Sequence, residues 1–185
     1  MSRRFYTADW HLNHENIIRY CNRPFSSVEK MAKHIIGEAN MRAGTEDWLF
    51  HVGDFSTHGN ARGVPGLKIS WHEHAALVKA RLVLLKGNHD KNNKVKTACD
   101  FVLTSMAGIP VFIGHYPTDN EEKYTPELRA FIRGNCKFAV VGHVHTLWKT
   151  KCYPGGFMDI NVGVDAHQFR PVSEDELVGI YRKGG

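Results

Sequence analysis

Short apolar runs that stop at a glycine or an acidic residue punctuate this chain. The segments "RRFYTADWH", "DWLFHVGD", "RLVLLKGNHD", "FVLTS", "GIPVFIGHYP", "KFAVVGHVH" and "GGFMDINVGVD" each centre on such a run, the pattern of buried or half-buried strands. "FVLTS" and "GIPVFIGHYP" are close enough to form a hairpin. Helical spacing governs the intervening sequence. In "SSVEKMAKHIIGEANMR" the apolar positions Val28, Met31, Ile35, Ile36 and Ala39 recur every three or four residues, and Ser26 with Glu29 fits a capping box. "SWHEHAALVKARL" reads as a second helix. "TPELRAFIRGN" is punctuated by Thr125 as N-cap, Pro126 at the first helical position and Gly134 just past the end. "SEDELVGIYRK" reads as a terminal helix capped by the Ser173/Glu176 pair. Strands and helices alternate and then strands cluster, which favours a layered α/β protein over an all-β sandwich. No internal repeat, low-complexity tract or linker interrupts the chain, so one domain over residues 1–185 is expected.

Composition narrows the picture only slightly. The 185 residues carry 24 Lys and Arg against 19 Asp and Glu, a net charge of +5, which suits an anionic substrate or nucleic acid without singling out either. No apolar run approaches membrane-spanning length, and the first residues enter strand-like sequence without a secretory segment. A cytoplasmic protein with no membrane partner is therefore expected. Cys21, Cys99, Cys136 and Cys152 are widely spaced and form no CxxC pair, which argues against a zinc finger or redox motif and for reduced thiols. Nothing in the sequence specifies an oligomeric state.

The twelve histidines become informative through where they fall. In "FHVGD", "LLKGNHD", "VFIGH" and "VVGHVH" an apolar run ends at glycine, and Asp, Asn or His comes directly after. Glycine permits a sharp turn and close backbone approach at a strand end, and the loops beyond strand ends are where α/β proteins build sites. "ADWH" repeats the arrangement without glycine. Strand alternation predicts that Asp9 and His11 share one face with Trp10 turned to the core, and that His143 and His145 point the same way with Val144 opposite. Five strand ends thus deliver Asp9, His11, Asp54, Asn88, His89, His115, His143 and His145. Each alone has an ordinary explanation as a cap, a turn or a satisfied polar group. Carboxylate, imidazole and amide oxygen together suit a borderline divalent ion such as Mn, Fe, Zn, Ni or Co, and the lack of thiolate disfavours structural zinc. There are too many ligands for one tetrahedral ion, whereas two ions accommodate them.

The ordered set Asp9-x-His11, Gly53-Asp54, Gly87-Asn88-His89-Asp90, Gly114-His115 and Gly142-His143-x-His145 resembles the signature of calcineurin-like metallophosphoesterases. "ADWHLNHENIIRYCNRPF" and "NVGVD" look like the small bacterial and phage-type members. The resemblance implies an α/β fold of four layers, αββα, with two mixed sheets flanked by helices. It implies two divalent ions, manganese favoured, with Asp9, His11 and His145 on one, Asn88, His115 and His143 on the other, and Asp54 bridging them. It further implies hydrolysis of a P–O ester, with His89 contacting the phosphate as general acid and Asp90 orienting the His89 imidazole.

The substrate is less legible. "GDFSTHGNAR" and GNHD depart from the GDxxxR-type segment and GNHE of the protein-phosphatase branch, and the short chain leaves little room for a cap domain, so a phosphodiester is favoured. A nuclease, a nucleotide hydrolase and a non-catalytic scaffold of the same fold are the alternatives, although a scaffold would be expected to have lost ligands. Lys91, Lys94, Lys96, Lys149 and Lys151, with Trp148 and Tyr153, form two segments suited to a phosphate path or base stacking, or else to solvated loops. His14 and Asn16 fit either a supporting shell or an ordinary helical turn. Asn161, Asp165 and His167 fit either substrate contact or turn formation. His72 and His74 read as surface residues, His51 as a strand interior, His58 as a loop and His34 as a helix position.

Overall fold

Alternation along the strands sends side chains to two different apolar layers, and this sets the architecture. The computed structural model describes residues 2–57 and 69–184; His58 lies outside them. Strands β1 (Arg4–Thr7), β2 (Trp48–Val52), β3 (Arg81–Leu85) and β9 (Val172–Ser173) form one sheet in the order β3-β2-β1-β9. The first three run parallel and β9 is antiparallel to β1. Strands β4 (Phe101–Met106), β5 (Ile109–Gly114), β6 (Phe138–Val141), β7 (Thr150–Cys152) and β8 (Met158–Asn161) form the other, ordered β4-β5-β6-β8-β7. There β5, β6 and β8 are parallel, with antiparallel strands at both edges.

Tyr6, Val52, Val111, Ile113, Phe138, Val140 and Ile160 fill the space between the sheets. On β1 and β2, Phe5 and Leu49 turn the other way, into a core shared with Met31, Ile35 and Ala39 of helix α2 (Val28–Arg42) and with Ile17 of α1 (Glu15–Tyr20). On the far side of the second sheet, Phe112, Ala139 and Val141 meet Ile132 of α5 (Pro126–Asn135). This is the expected four-layer arrangement of two mixed sheets flanked by helices. The remaining helices are α3 (Trp71–Ala76), α4 (Asn88–Asn92) and α6 (Glu174–Gly184). Among the described residues no helix is long and apolar enough to cross a membrane.

Several local expectations shift. Helix α2 is capped by Ser27, whose hydroxyl accepts from the Lys30 N–H at 3.3 Å, while Ser26 takes the Lys30 ammonium at 2.9 Å. Gly134 lies inside the last turn of α5, which continues to Asn135 before the extended Cys136. Helix α4 and strand β7 occupy segments expected to be loops. The Ser173/Glu176 box and the β4–β5 hairpin form as expected, the latter through Ala107 and Gly108 at φ +48° and +79°, the left-handed pair favoured in two-residue hairpins. His74 is 2% exposed, not at the surface.

His51 sits in the interior of β2 as expected. Its ring is fully buried, lies edge-on to Trp10 and Phe55 at 5.1 Å from each, and has no hydrogen-bond partner on either nitrogen. Burial therefore keeps it neutral, with its pKa pushed down to about 3. The unfolded chain takes up that proton below about pH 6.5, so unfolding binds more protons and stability falls as pH drops from 6.5 toward 3. The cost reaches about 2 kcal/mol at pH 5. His51→Leu is expected to lose less stability than the parent between pH 7 and 5 in urea denaturation. Superimposable pH dependences would contradict this account.

Candidate metal centre

Each strand hands its terminal polar residue to the same end of the two sheets, but the backbone does so by leaving the strand geometry. Strand β1 ends at Thr7 and β6 at Val141, so both H-x-H-like pairs lie in loops. Strand alternation is thus not what aims them. Five of the seven expected ligands have left-handed backbones: Asp9, His11, Asp54, His143 and His145, at φ +59°, +50°, +59°, +71° and +47°. Non-glycine residues in this region cost about 1–3 kcal/mol each and persist only where surrounding structure holds them. Trp10 points to the core as expected, fully buried with its indole N–H donated to Thr7 at 2.8 Å.

The donors converge in overlapping groups, in which Asp54 lies within 4.8 Å of Asp9 and His115 and also of His11 and His89. Asp9, His11 and His145 bring one donor atom each within 4.8 Å of one another. Asn88 Oδ1 lies 3.1 Å from both His115 Nε2 and His143 Nδ1. Asp54 has Oδ2 3.5 Å from His11 Nε2 and 3.5 Å from His115 Nε2. The His89 backbone N–H donates to its other oxygen at 2.9 Å. His143 lies beside Asn88 and His115, and His145 beside Asp9 and His11.

The surroundings fix the rings. His115 Nδ1 donates to the Val52 carbonyl at 2.8 Å, leaving Nε2 toward Asp54 and Asn88. His145 Nδ1 pairs with Asp165 at 2.9 Å. Asp165 in turn takes two hydrogen bonds, 2.7 and 2.8 Å, from the buried Arg23 guanidinium, which also donates to the carbonyls of Asp9 and Trp10. Arg23 carries no signal in the sequence because its partner lies 142 positions away. Cys21 is also brought beside His145 and Asp165, and all four cysteines are free thiols.

Asp90 does not orient His89. Its carboxylate accepts the backbone N–H groups of Gly87, Asp54 and Phe55 at 2.8, 2.8 and 3.0 Å, tying the GNHD turn to the segment after β2. The His89 side chain is 42% exposed, with Nε2 4.0 Å from Asp54 and its ring 4.9 Å from His11. His14 packs 5.9 Å from His89 at the start of α1, and Asn16 is exposed. Asn161 and His167 hold loops: Asn161 donates to the carbonyls of His145 and Trp148, and His167 pairs with the Asn161 carbonyl. The expected cationic path divides. Lys94 and Lys96 line a hollow that Lys86 and Lys91 also border, Lys149 lies on another face with Arg42, and Lys151 pairs with Asp119 at 2.5 Å. Tyr153 donates to buried Asp159, and Trp148 is partly buried against the third core.

Electrostatically the centre is a charge-dense pocket in low dielectric. Burial raises the Asp9 carboxyl to about 6 despite His115 and His145 nearby. Burial would also raise Asp54, but the His115 hydrogen bond and the charges of His115 and His11 hold it well below the carboxylate range. Burial opposes protonation of His145, yet Asp165 lifts it to about 10; Asp54 similarly lifts His115 to about 9. Burial lowers His143 to about 4 and holds His11 well below the usual imidazole range. His11 is 1% exposed and neither ring nitrogen has a hydrogen-bond partner. Such an orphaned pair inside a carboxylate–imidazole cage is what a cation would satisfy, so the donor set fits metal ions.

Residues 3–112, more than half of the chain, match the calcineurin-like phosphoesterase family, and the chain belongs to that family. It is 30% identical over 189 aligned positions to an uncharacterized protein of Methanocaldococcus jannaschii, across all of this chain and 94% of the relative. The crystal structure of a protein of unknown function from Aquifex aeolicus superposes with a TM-score of 0.70 at 24% identity, covering 97% of this chain and 100% of that one. That likeness shows that the two chains share a fold.

Crowding at the centre gives a direct test. A Cβ at Gly87 would collide with the backbone and carboxylate of Asp54, whereas one at Gly179 in α6 meets nothing within 4 Å. Gly87 has φ −101°, so the collision alone penalises alanine there. Gly87→Ala should lose about 1–3 kcal/mol by overpacking, and Gly179→Ala should gain about 0.5–1 kcal/mol from helix propensity, both read by urea denaturation. Equal effects at the two sites would contradict the crowding.

Proposed function

We propose that the protein is a two-metal phosphoesterase that hydrolyses phosphodiesters. The observation that carries this reading is the position of Asp54, 3.5 Å from both His11 and His115, with Asp9 and His145 beside the first and Asn88 and His143 beside the second. Asp9, His11 and His145 would hold one ion, Asn88, His115 and His143 the second, and Asp54 would serve both. Manganese suits this mixture of carboxylate, imidazole and amide oxygen. When bound, two such cations lower the pKa of water and neutralise charge on the phosphoryl oxygens.

The chain's own residues supply the rest. The rings of two candidate ligands are held in orientation: Val52 fixes His115, and Asp165, held by Arg23, fixes His145. Val52, Asp165 and Arg23 are thus positioning groups. His89 is the exposed imidazole at the edge of the cluster and is held by its own backbone bond to Asp54. It is suited to give its proton to the departing ester oxygen. With Asp90 committed to backbone groups, the carboxylate that faces His89 is Asp54, 4.0 Å from Nε2. The His89 side chain is 42% exposed, so the edge of the centre is open enough to admit a phosphate carrying a second ester group, which suits a diester.

Hydrolysis of bis-p-nitrophenyl phosphate and p-nitrophenyl phosphate by metal-stripped, manganese-reloaded protein tests this. The diester is expected to turn over faster, chelator to abolish the reaction, and His89→Ala to lower kcat by about 10²–10⁴-fold, the usual range for a general acid, with metal content unchanged. Undiminished turnover in His89→Ala would remove it from the mechanism, and a monoester preference would overturn the diester assignment.

A further inference from the structure

Beside the centre, helix α4, which begins at Asn88, also forms one wall of a groove of about 440 Å³, within the range of small-molecule sites. The groove shares Asn88 with the centre, so the two adjoin. Lys86, Lys91 and Lys123 line it, against a single carboxylate, Asp100, which is already paired with Lys86 at 3.2 Å. Lys91 has no ion pair among the described residues. Two rings complete the lining. Phe101 is 41% exposed and rests one face on Phe112, with centroids 5.5 Å apart. The Tyr116 ring stands 4.9 Å from His143 on the inner side and carries the Lys123 ammonium at 5.1 Å.

Resting on the phosphodiesterase reading, we propose that this groove binds a nucleotide unit of the substrate, its base on Phe101 and a second phosphate between Lys91 and Lys123. A small aliphatic ester group has no use for two uncompensated ammonium groups, and a bare anion has none for an exposed aromatic face. A planar ring joined to an additional phosphate uses both. Base–aromatic stacking is tolerant of base identity, and the lysines recognise phosphate charge without reading base sequence. The groove selects the class of ester, while the centre performs the same chemistry on any diester that reaches it.

The test compares bis-p-nitrophenyl phosphate with the p-nitrophenyl ester of thymidine 5′-phosphate and with the 3′-phosphorylated form of that ester. The 3′-phosphorylated ester is expected to show at least tenfold higher kcat/KM than bis-p-nitrophenyl phosphate. Phe101→Ala should raise KM for both thymidine esters, and the Lys91→Met/Lys123→Met double variant only for the 3′-phosphorylated one. Both variants should keep the parent's kcat and its rate on bis-p-nitrophenyl phosphate. Uniform effects on all three esters, or none, would overturn the groove assignment and leave the phosphodiesterase reading standing. If no ester is hydrolysed, that reading fails instead. The groove is then judged by calorimetric binding of thymidine 3′,5′-bisphosphate to chelated protein: a tenfold loss in the double variant sustains it, and unchanged or absent binding refutes it. Tighter binding of decathymidylate than of the bisphosphate assigns the unit to a strand, and equal binding assigns it to a free nucleotide.

Discussion

The structure turns on a buried carboxylate. Asp54 is 2% exposed and lies within 3.5 Å of two imidazoles. Leaving such a group charged and unpaired in the interior would cost several kcal/mol. The protein therefore builds around it: His89 donates a backbone N–H to it, Asp90 holds its own N–H, and Gly87 leaves it room. These contacts weld the ends of β2 and β3 together. Through His11 and His115 the same carboxylate links loops from both sheets, so the two-sheet architecture and the centre form one construction.

The arrangement is costly by ordinary folding criteria. Five candidate ligands adopt left-handed backbones, and His11 is buried with neither nitrogen hydrogen-bonded. The three cores supply the rigidity that keeps such residues in place, since close-packed interiors resist relaxation. The Arg23–Asp165 pair adds a strut, joining the carbonyls of Asp9 and Trp10 to the His145 ring. Strain and unsatisfied polarity gathered at one end of a well-packed fold are the physical mark of a site.

Most of the fold and the centre is legible in the sequence where the signal is local. The strand-then-ligand syntax of "HVGD", "KGNHD", "IGH" and "GHVH" names the residues that converge, because a strand delivers to its end only the residues directly after it. The α/β layering is visible in the same runs. Partners distant along the chain are not. Arg23 is not marked by any periodicity, and Asp90 reads as a neighbour of His89 although its bonds run to Asp54 and Phe55. His74 reads as a surface residue because burial on a short helix depends on what packs above it. Strand β7 is hidden among lysines, since an edge strand needs no apolar run.

The central claim is that Asp54 is shared by two ions, and counting metals tests it most directly. Apo protein reloaded with manganese, freed of excess ion and measured by inductively coupled plasma mass spectrometry should hold two ions per chain. Asp54→Asn, folded by circular dichroism, should retain at most one. Two ions retained by the variant, or one held by the parent, would contradict the account.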